Sequence, residues 1–231
     1  MRVSILTGQS QALTEQINSA IDKGPITAAQ WCGFNGLVDD TQVSTRFHGG
    51  PERALHYYPQ EHYAFWRSWC QGMGLTAEIE LLRPGAFGEN ISGQGLLEQE
   101  ACIGDIYRLD RALIQISQPR SPCYKLNAKF GYDFFSVLVQ ANGRAGWLLR
   151  VLEEGMVGPE AELTLVERPH PQMPVRRAAD IIFNHGFDAD GLHELADLPA
   201  LAPGWRAKAA DYLTKGRVDD WSHRLLGPKR P

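Results

Sequence analysis

The stretch Ala112-Leu113-Ile114-Gln115-Ile116-Ser117-Gln118-Pro119 decides the class of fold. Ile114 and Ile116 fall on one face of an extended chain and Gln115 and Ser117 on the other, the period-two alternation of a half-buried strand. The pattern stops at Gln118-Pro119, because proline has no N–H to give to a ladder. Working outward, Arg2 to Thr7, Ile103 to Leu109 and Glu162 to Glu167 read as further short strands. Short strands punctuated by glycine and proline favour an all-β barrel or sandwich.

Helical segments interrupt this pattern. Pro59 to Cys70 (PQEHYAFWRSWC) places a proline where a helix starts well, with Tyr63, Trp66 and Cys70 at three- and four-residue spacing. The aromatic stripe reads as core packing rather than a cofactor box. Tyr132 to Leu149 is broken by Gly143 and Gly146, so a short helix and a loop are both open. The character changes at Arg168-Pro169-His170-Pro171-Gln172-Met173-Pro174, whose three prolines suit a linker. Beyond it Val175 to His185, Leu192 to Leu198 and Trp205 to Lys215 have helical spacing, and Asp219 to Leu226 adds a turn or two. The organisation expected is a β-barrel over 1–168 and a small helical unit over 169–231.

With 231 residues, 43% of them hydrophobic and 22% charged, the chain can build a core that needs no metal or disulfide staple. Its formal net charge of -4 argues against a general nucleic-acid binder. No stretch approaches the roughly 20 apolar residues of a membrane span, and the N-terminal apolar run is too short for a secretory signal. A cytoplasmic setting is expected, with Cys32, Cys70, Cys102 and Cys123 as thiols. None of them forms a C-x-x-C pair, so zinc-knuckle and iron–sulfur patterns are unsupported. Redox chemistry here would draw its electrons from another protein or a bound cofactor.

Three short motifs carry the chemistry. In Gln118 to Leu126 (QPRSPCYKL), Cys123 leaves the strand on a loop stiffened by two prolines, and Arg120 and Lys125 would favour its thiolate by Coulomb attraction. A thiolate is a nucleophile and a soft metal ligand; the plainer reading is a small buried hydrophobe, which is how Cys32, Cys70 and Cys102 are read. In Arg46 to Leu55 (RFHGGPERAL), Gly49 and Gly50 let the backbone approach a ligand, and consecutive N–H groups can form an anion nest. Arg46 and Arg53 would add forked donors for phosphate, and His48 a proton; a tight turn with solvated arginines is the alternative. In Phe87 to Gly93 (FGENISG), Asn90 offers donor and acceptor, and Glu89 a base or an ion-pair partner, though turn chemistry alone explains the motif. Phosphate-loop, dinucleotide-fingerprint, nucleophile-elbow and zincin patterns are absent.

HGGPERAL, FGEN and QPRSPCYKL, in that order, together resemble the MOSC domain, named after the C-terminal domain of molybdenum-cofactor sulfurases. HYYPQEHYAFW, ALIQISQPRSPCYKLN and the helical tail are similar to its YiiM-like branch, so the likeness covers nearly the whole chain. The resemblance implies a mainly β fold: a MOSC-type β-barrel with inserted helices, followed by a small C-terminal three-helix segment. It implies a molybdenum cofactor, with Cys123 as molybdenum ligand or persulfide carrier. Arg46, His48, Arg53, Asn90 and Arg120 would line the pterin and its phosphate, with Gly49, Gly50, Ser121 and Lys125 in the same cradle. Cys123, His48 and Glu89 would be the catalytic residues, the last two as proton sources.

The activity implied is reduction of N-hydroxylated compounds such as amidoximes, hydroxylamines and hydroxylated purine bases. An external flavin or iron–sulfur reductase would supply the electrons, with no nucleic-acid or membrane partner, and a homodimer is open. A second reading is a sulfur or molybdenum-cofactor carrier, and a third is a binding module in regulation or detoxification.

Overall fold

A computed structural model describes residues 1–41 and 49–228. The strand expected at Ala112 runs on to its proline, over Ala112–Pro119 (β10). Ile114 and Ile116 point into the core, but Ser117 is buried too. A register shift between Ile116 and Gln118 turns it inward, where its hydroxyl meets the Glu52 carbonyl at 2.6 Å. A bulge of this kind re-aims side chains at a barrel rim.

Around this strand the sheet closes. In chain order the strands are β1 (Arg2–Thr7), β2 (Gln11–Thr14), β3 (Ile17–Ser19), β4 (Gly24–Pro25), β5 (Gln30–Gly33), β6 (Gly36–Leu37), β7 (Leu55–Pro59), β8 (Ile91–Gly93) and β9 (Ile106–Leu109). After β10 come β11 (Trp147–Glu153), β12 (Gly155–Val157) and β13 (Glu160–Glu167). The order β13-β9-β10-β11-β7-β8-β1, with β1 pairing back to β13, makes a closed barrel of seven strands. β7 and β8 pair in parallel and the other barrel neighbours antiparallel. Closure leaves the barrel strands without an open edge.

Barrel strand β7 is not legible as alternation. All five residues of β7 are buried, so Leu55–Pro59 shows no polar face, and its proline ends the strand instead of starting the helix expected there. That helix, α1, begins two residues later, at Glu61–Gly72, and buries His62, Tyr63, Trp66 and Cys70. A short α2 (Lys125–Lys129) precedes the ambiguous region Tyr132 to Leu149, which resolves into α3 (Phe135–Asn142) and the start of β11. Gly143 caps α3 with φ of +72°, and Gly146, also at +72°, packs where a Cβ would come 2.1 Å from the Tyr57 carbonyl oxygen. Only glycine allows both the angle and the approach.

Helix α1 packs through an aromatic cluster outside the barrel. Tyr58 stacks on Phe87 at 4.3 Å, Trp66 lies 4.7 Å from Phe135, and the Trp66 indole donates to the Tyr58 hydroxyl at 2.9 Å. Each fully buried ring contributes on the order of 1.5–3 kcal/mol by apolar burial.

After Glu167 the linker is pinned by Arg168, which donates to buried Asp105 at 2.9 and 2.7 Å. Helices α4 (Val175–Phe183), α5 (Ala189–Ala196), α6 (Pro203–Lys215) and α7 (Ser222–Leu226) follow. Val175, Ile182, Leu195 and Trp205 share one apolar core with barrel residues, and the Ala202 N–H reaches the Ser117 carbonyl at 2.9 Å. No helix among the described residues is long and apolar enough to cross a membrane.

Candidate functional site

β10 ends beside a cavity of about 160 Å³ at one end of the barrel. Four stretches far apart in sequence form most of its wall, the residues before β4, the start of β7, the turn before β8, and the loop from β10 to α2, with Thr41 and Leu148 completing it. Arg53, Asn90, Arg120, Ser121, Cys123 and Lys125 all line it. Gly49 and Gly50 are not among the lining residues; Gly50, with φ of +93°, precedes the short 3-10 turn Pro51–Arg53 that delivers Arg53. Arg46 and His48 lie outside the described residues.

The loop 85–90 is a scaffold for this cavity. Glu89 is fully buried beneath the wall and accepts from the Tyr63 hydroxyl, from Gly85 N–H at 2.7 Å and from Phe87 N–H at 3.1 Å. Burial pushes its carboxyl up, against those three donors. Neighbouring Asn90 is equally committed: its Oδ1 accepts from His56 N–H at 3.2 Å, and its Nδ2 reaches Leu6 O at 3.2 Å and Asp40 Oδ2 at 2.8 Å. Glu89 therefore holds the turn that presents Asn90, and is not itself among the lining residues.

Two titratable lining residues were not found by sequence reasoning. Lys23 is buried, and its ammonium pairs with Asp40, whose Oδ1 also accepts from Gly8 N–H at 2.9 Å. Burial pushes the Lys23 ammonium down and the Asp40 partner opposes this. His56, in the middle of the buried β7, places Nε2 3.1 Å from the Ala145 carbonyl. Burial, then the nearby Arg120 cation, push its imidazole well below the usual histidine range. Lys23 stands in no motif, and His56 only opens HYYPQEHYAFW, a segment quoted for its likeness and not for a site; the closing of the barrel brings both to the cavity.

The chemistry of the wall is cationic, although the chain carries a net charge of -4. Lys23, Arg53, Arg120 and Lys125 converge on one small cavity. Arg120 donates Nη2 to the Phe87 carbonyl at 3.1 Å, while its buried Nη1 has no hydrogen-bond partner among the described residues. An unmet buried donor is unfavourable unless a ligand or solvent supplies an acceptor. Burial also pushes the Arg53 and Arg120 guanidinium groups down, and the nearby Cys123 opposes this for Arg120.

None of the four cysteines is in a disulfide. Cys32, Cys70 and Cys102 are buried, and burial pushes their thiols up, that of Cys32 to about 12. Cys123 alone is half-buried and faces the cavity. Among the described residues no three His, Cys, Asp or Glu side chains converge as a metal cage. A bare ion therefore finds no full ligand set there, whereas a metal that arrives with ligands of its own needs a single soft donor and an anion cradle. The residues present fit that second requirement.

Residues 44–164 match the MOSC domain, and residues 173–216 match the YiiM-like, 3-alpha helix domain. Protein YiiM of Escherichia coli K12 is 40% identical over 225 residues, covering 97% of this chain and 98% of that protein. The crystal structure of YiiM from Escherichia coli aligns with a TM-score of 0.81 at 35% identity, over 98% of this chain and 100% of that one. A protein named reductase from Gibberella moniliformis is 36% identical over 189 residues, 81% of this chain but 33% of the fungal protein. With the barrel, the cavity at its end and the helices behind it, the chain belongs to the MOSC domain family, in the group that carries the YiiM-like three-helix segment.

Proposed function

We propose that the chain is a molybdenum-cofactor-dependent reductase of N-hydroxylated compounds. The observation that carries this reading is the joint placement of Cys123 and the cations Lys23, Arg53, Arg120 and Lys125 on one cavity. A phosphate-bearing pterin matches those cations, and the Cys123 thiolate would be the protein's one donor to the metal. The relative named reductase supports an oxidoreductase reading. When bound, the cofactor supplies two-electron exchange at molybdenum. The balanced reaction takes an N–OH compound, two electrons and two protons to the N–H compound and water.

The chain's own residues bind, orient and screen. Arg120 Nη1, without a partner among the described residues, would donate to the anion. Asn90, held by His56, Leu6 and Asp40, keeps the opposite wall fixed. Glu89 is tied up by three donors, which leaves His48 as the proton source in this reading. Electrons would come from a separate flavin or iron–sulfur reductase, in a cytoplasmic setting.

Metal and pterin analysis of the wild type beside Cys123→Ala tests the proposal. Wild-type protein from a cofactor-competent host should hold molybdenum and pterin, and the variant should lose turnover. A fully active Cys123→Ala protein would sink the metal-ligand role. The exposure of Cys123 also favours a second reading, a sulfur carrier. A stable extra sulfur on Cys123 without bound molybdenum would select it.

A further inference from the structure

The helices that follow the barrel reach the cysteine loop from behind. Helix α7 packs under it, and one residue makes the closest polar contacts. The Arg224 carbonyl accepts the Tyr124 N–H at 2.9 Å, and the Arg224 guanidinium donates Nη1 to the Pro122 carbonyl. The peptide groups on both sides of Cys123 are thus tied to the same arginine. Its Nη2 continues to Gln140 Oε1 of α3 at 2.5 Å.

That arginine is in turn placed by the helical segment. Its guanidinium lies over the rings of Trp221, at 4.7 Å, and Phe183, at 5.0 Å. The Leu225 carbonyl accepts from Asn127 Nδ2 at 2.8 Å and Ser136 Oγ at 2.7 Å, which fixes α7 to α2 and α3. The cysteine loop has few backbone bonds of its own, because Pro119 and Pro122 have no N–H to donate. Among the described residues its other main-chain anchor outside the loop is the Arg120 N–H to the Gly146 carbonyl, at 3.2 Å, beside the side-chain bonds of Arg120 to Phe87 and of Lys125 to Asn18. Two of the three guanidinium nitrogens of this half-buried arginine find acceptors, at Pro122 and Gln140, while its buried Nε has none among the described residues, so what its placement secures is the loop and α3.

We propose that Arg224 is a positioning residue for Cys123. It clamps the chain on both sides of the thiol and makes the geometry of the site depend on how the C-terminal helices dock. The inference rests on Cys123 being the working thiol of the cavity, as proposed above.

Arg224→Met keeps a side-chain stem over Trp221 and removes the donors; Gln140→Leu removes one acceptor and leaves the arginine in place. Both variants keep the Arg224 main-chain carbonyl that accepts the Tyr124 N–H, so hydrogen exchange of the cofactor-free chain reads how far the guanidinium holds the loop against opening. In Arg224→Met the Tyr124 and Leu126 amides should exchange about 10-fold faster or more, with the β1 amides unchanged. Gln140→Leu should move the same amides the same way by less, and serves if Arg224→Met fails to fold. In cofactor-loaded protein assayed with a reduced viologen and an amidoxime, kcat per bound molybdenum should fall about 10-fold with KM held within about two-fold. A merely structural role would lower the yield of loaded protein and leave kcat per molybdenum alone. Unchanged exchange at Tyr124 in the folded variants overturns the clamp, and faster exchange with unchanged kcat per molybdenum overturns its role in positioning. Wild-type protein devoid of molybdenum overturns the proposed function instead, and exchange then decides the clamp by itself.

Discussion

Two loops border the cavity, 85–90 and 120–125; the first carries a fully buried Glu89 and the second a half-buried Arg120 whose Nη1 is out of solvent. In the first, Glu89 accepts hydrogen bonds from Tyr63, Gly85 and Phe87, and Asn90 engages His56, Leu6 and Asp40. In the second, Arg120 leaves Nη1 without a partner among the described residues, and the loop is held by Gly146 and Arg224 from outside. A loop whose polar atoms all serve its own fold is scaffold. A loop that holds a buried donor in reserve, beside an accessible thiol, is shaped for something it does not itself contain. The same end of the barrel thus separates stability from binding in adjacent segments, and substitutions in the two loops should fail in different ways.

The sharpest break is at Glu89. Glu89→Ala strands three donors in the interior and should destabilise the fold by about 3–5 kcal/mol, measured by denaturant unfolding. Its charge also sets a pH slope. The folded pKa is raised by burial, so the folded chain binds a proton more tightly than the unfolded chain, where a glutamate titrates at about 4.3. The stability from that proton is full below the unfolded value and is lost as pH rises through the folded one. Glu89→Gln cannot titrate, and its stability should fall less over that window; a parallel pH slope in both proteins would remove Glu89 as the cause.

Cys123→Ala should behave the other way round. The residue is half-buried, so the unfolding midpoint should hardly move. Turnover should drop by more than about 100-fold, the upper end of what loss of a metal site's supporting partner costs. A variant that unfolds instead would move Cys123 to the scaffold side of the comparison.

Smaller effects grade the binding loop. Arg120→Met removes the open donor and should weaken phosphate binding about 10-fold, the scale of one charge-assisted hydrogen bond. Titration calorimetry with inorganic phosphate reads this, and equal affinity would mean that Nη1 does not meet the anion. Lys125→Ala should cost least. Its Nζ donates to the Asn18 carbonyl at 3.1 Å on the exposed side, so affinity should fall by about two-fold, with stability within about 0.5 kcal/mol.

Much of this was legible because the decisive patterns are local. Alternation through Ile114 and Ile116 needs only neighbouring residues to be read, and the stripe Tyr63, Trp66, Cys70 likewise marks one face of α1. β7 was not legible, since a strand buried on both faces carries no alternation. The helix expected at Pro59 began later for the same reason: that proline belongs to the strand before it. Arg53, Asn90, Arg120, Ser121, Cys123 and Lys125 were singled out as members of motifs and meet at one cavity. Lys23 stands in no motif and His56 only opens the segment HYYPQEHYAFW, which assigns it no role, and their place there follows from strand pairing across the barrel.

By itself the sequence determined the β class, the α1 face, the helical tail and the set of motifs that carry chemistry, because each depends on residues close along the chain. Only the tertiary structure decided what each polar residue does. Closure of β1 on β13 and the parallel pairing of β7 with β8 bring residues 20–23, 53–56, 87–90 and 118–125 together. That convergence gives an acidic chain a cationic cavity, places Glu89 beneath its wall, and sets Arg224, about a hundred positions away, on both sides of Cys123. The physical reason is that burial and the choice of hydrogen-bond partner are properties of the assembled surfaces, and no local pattern encodes which surfaces will meet.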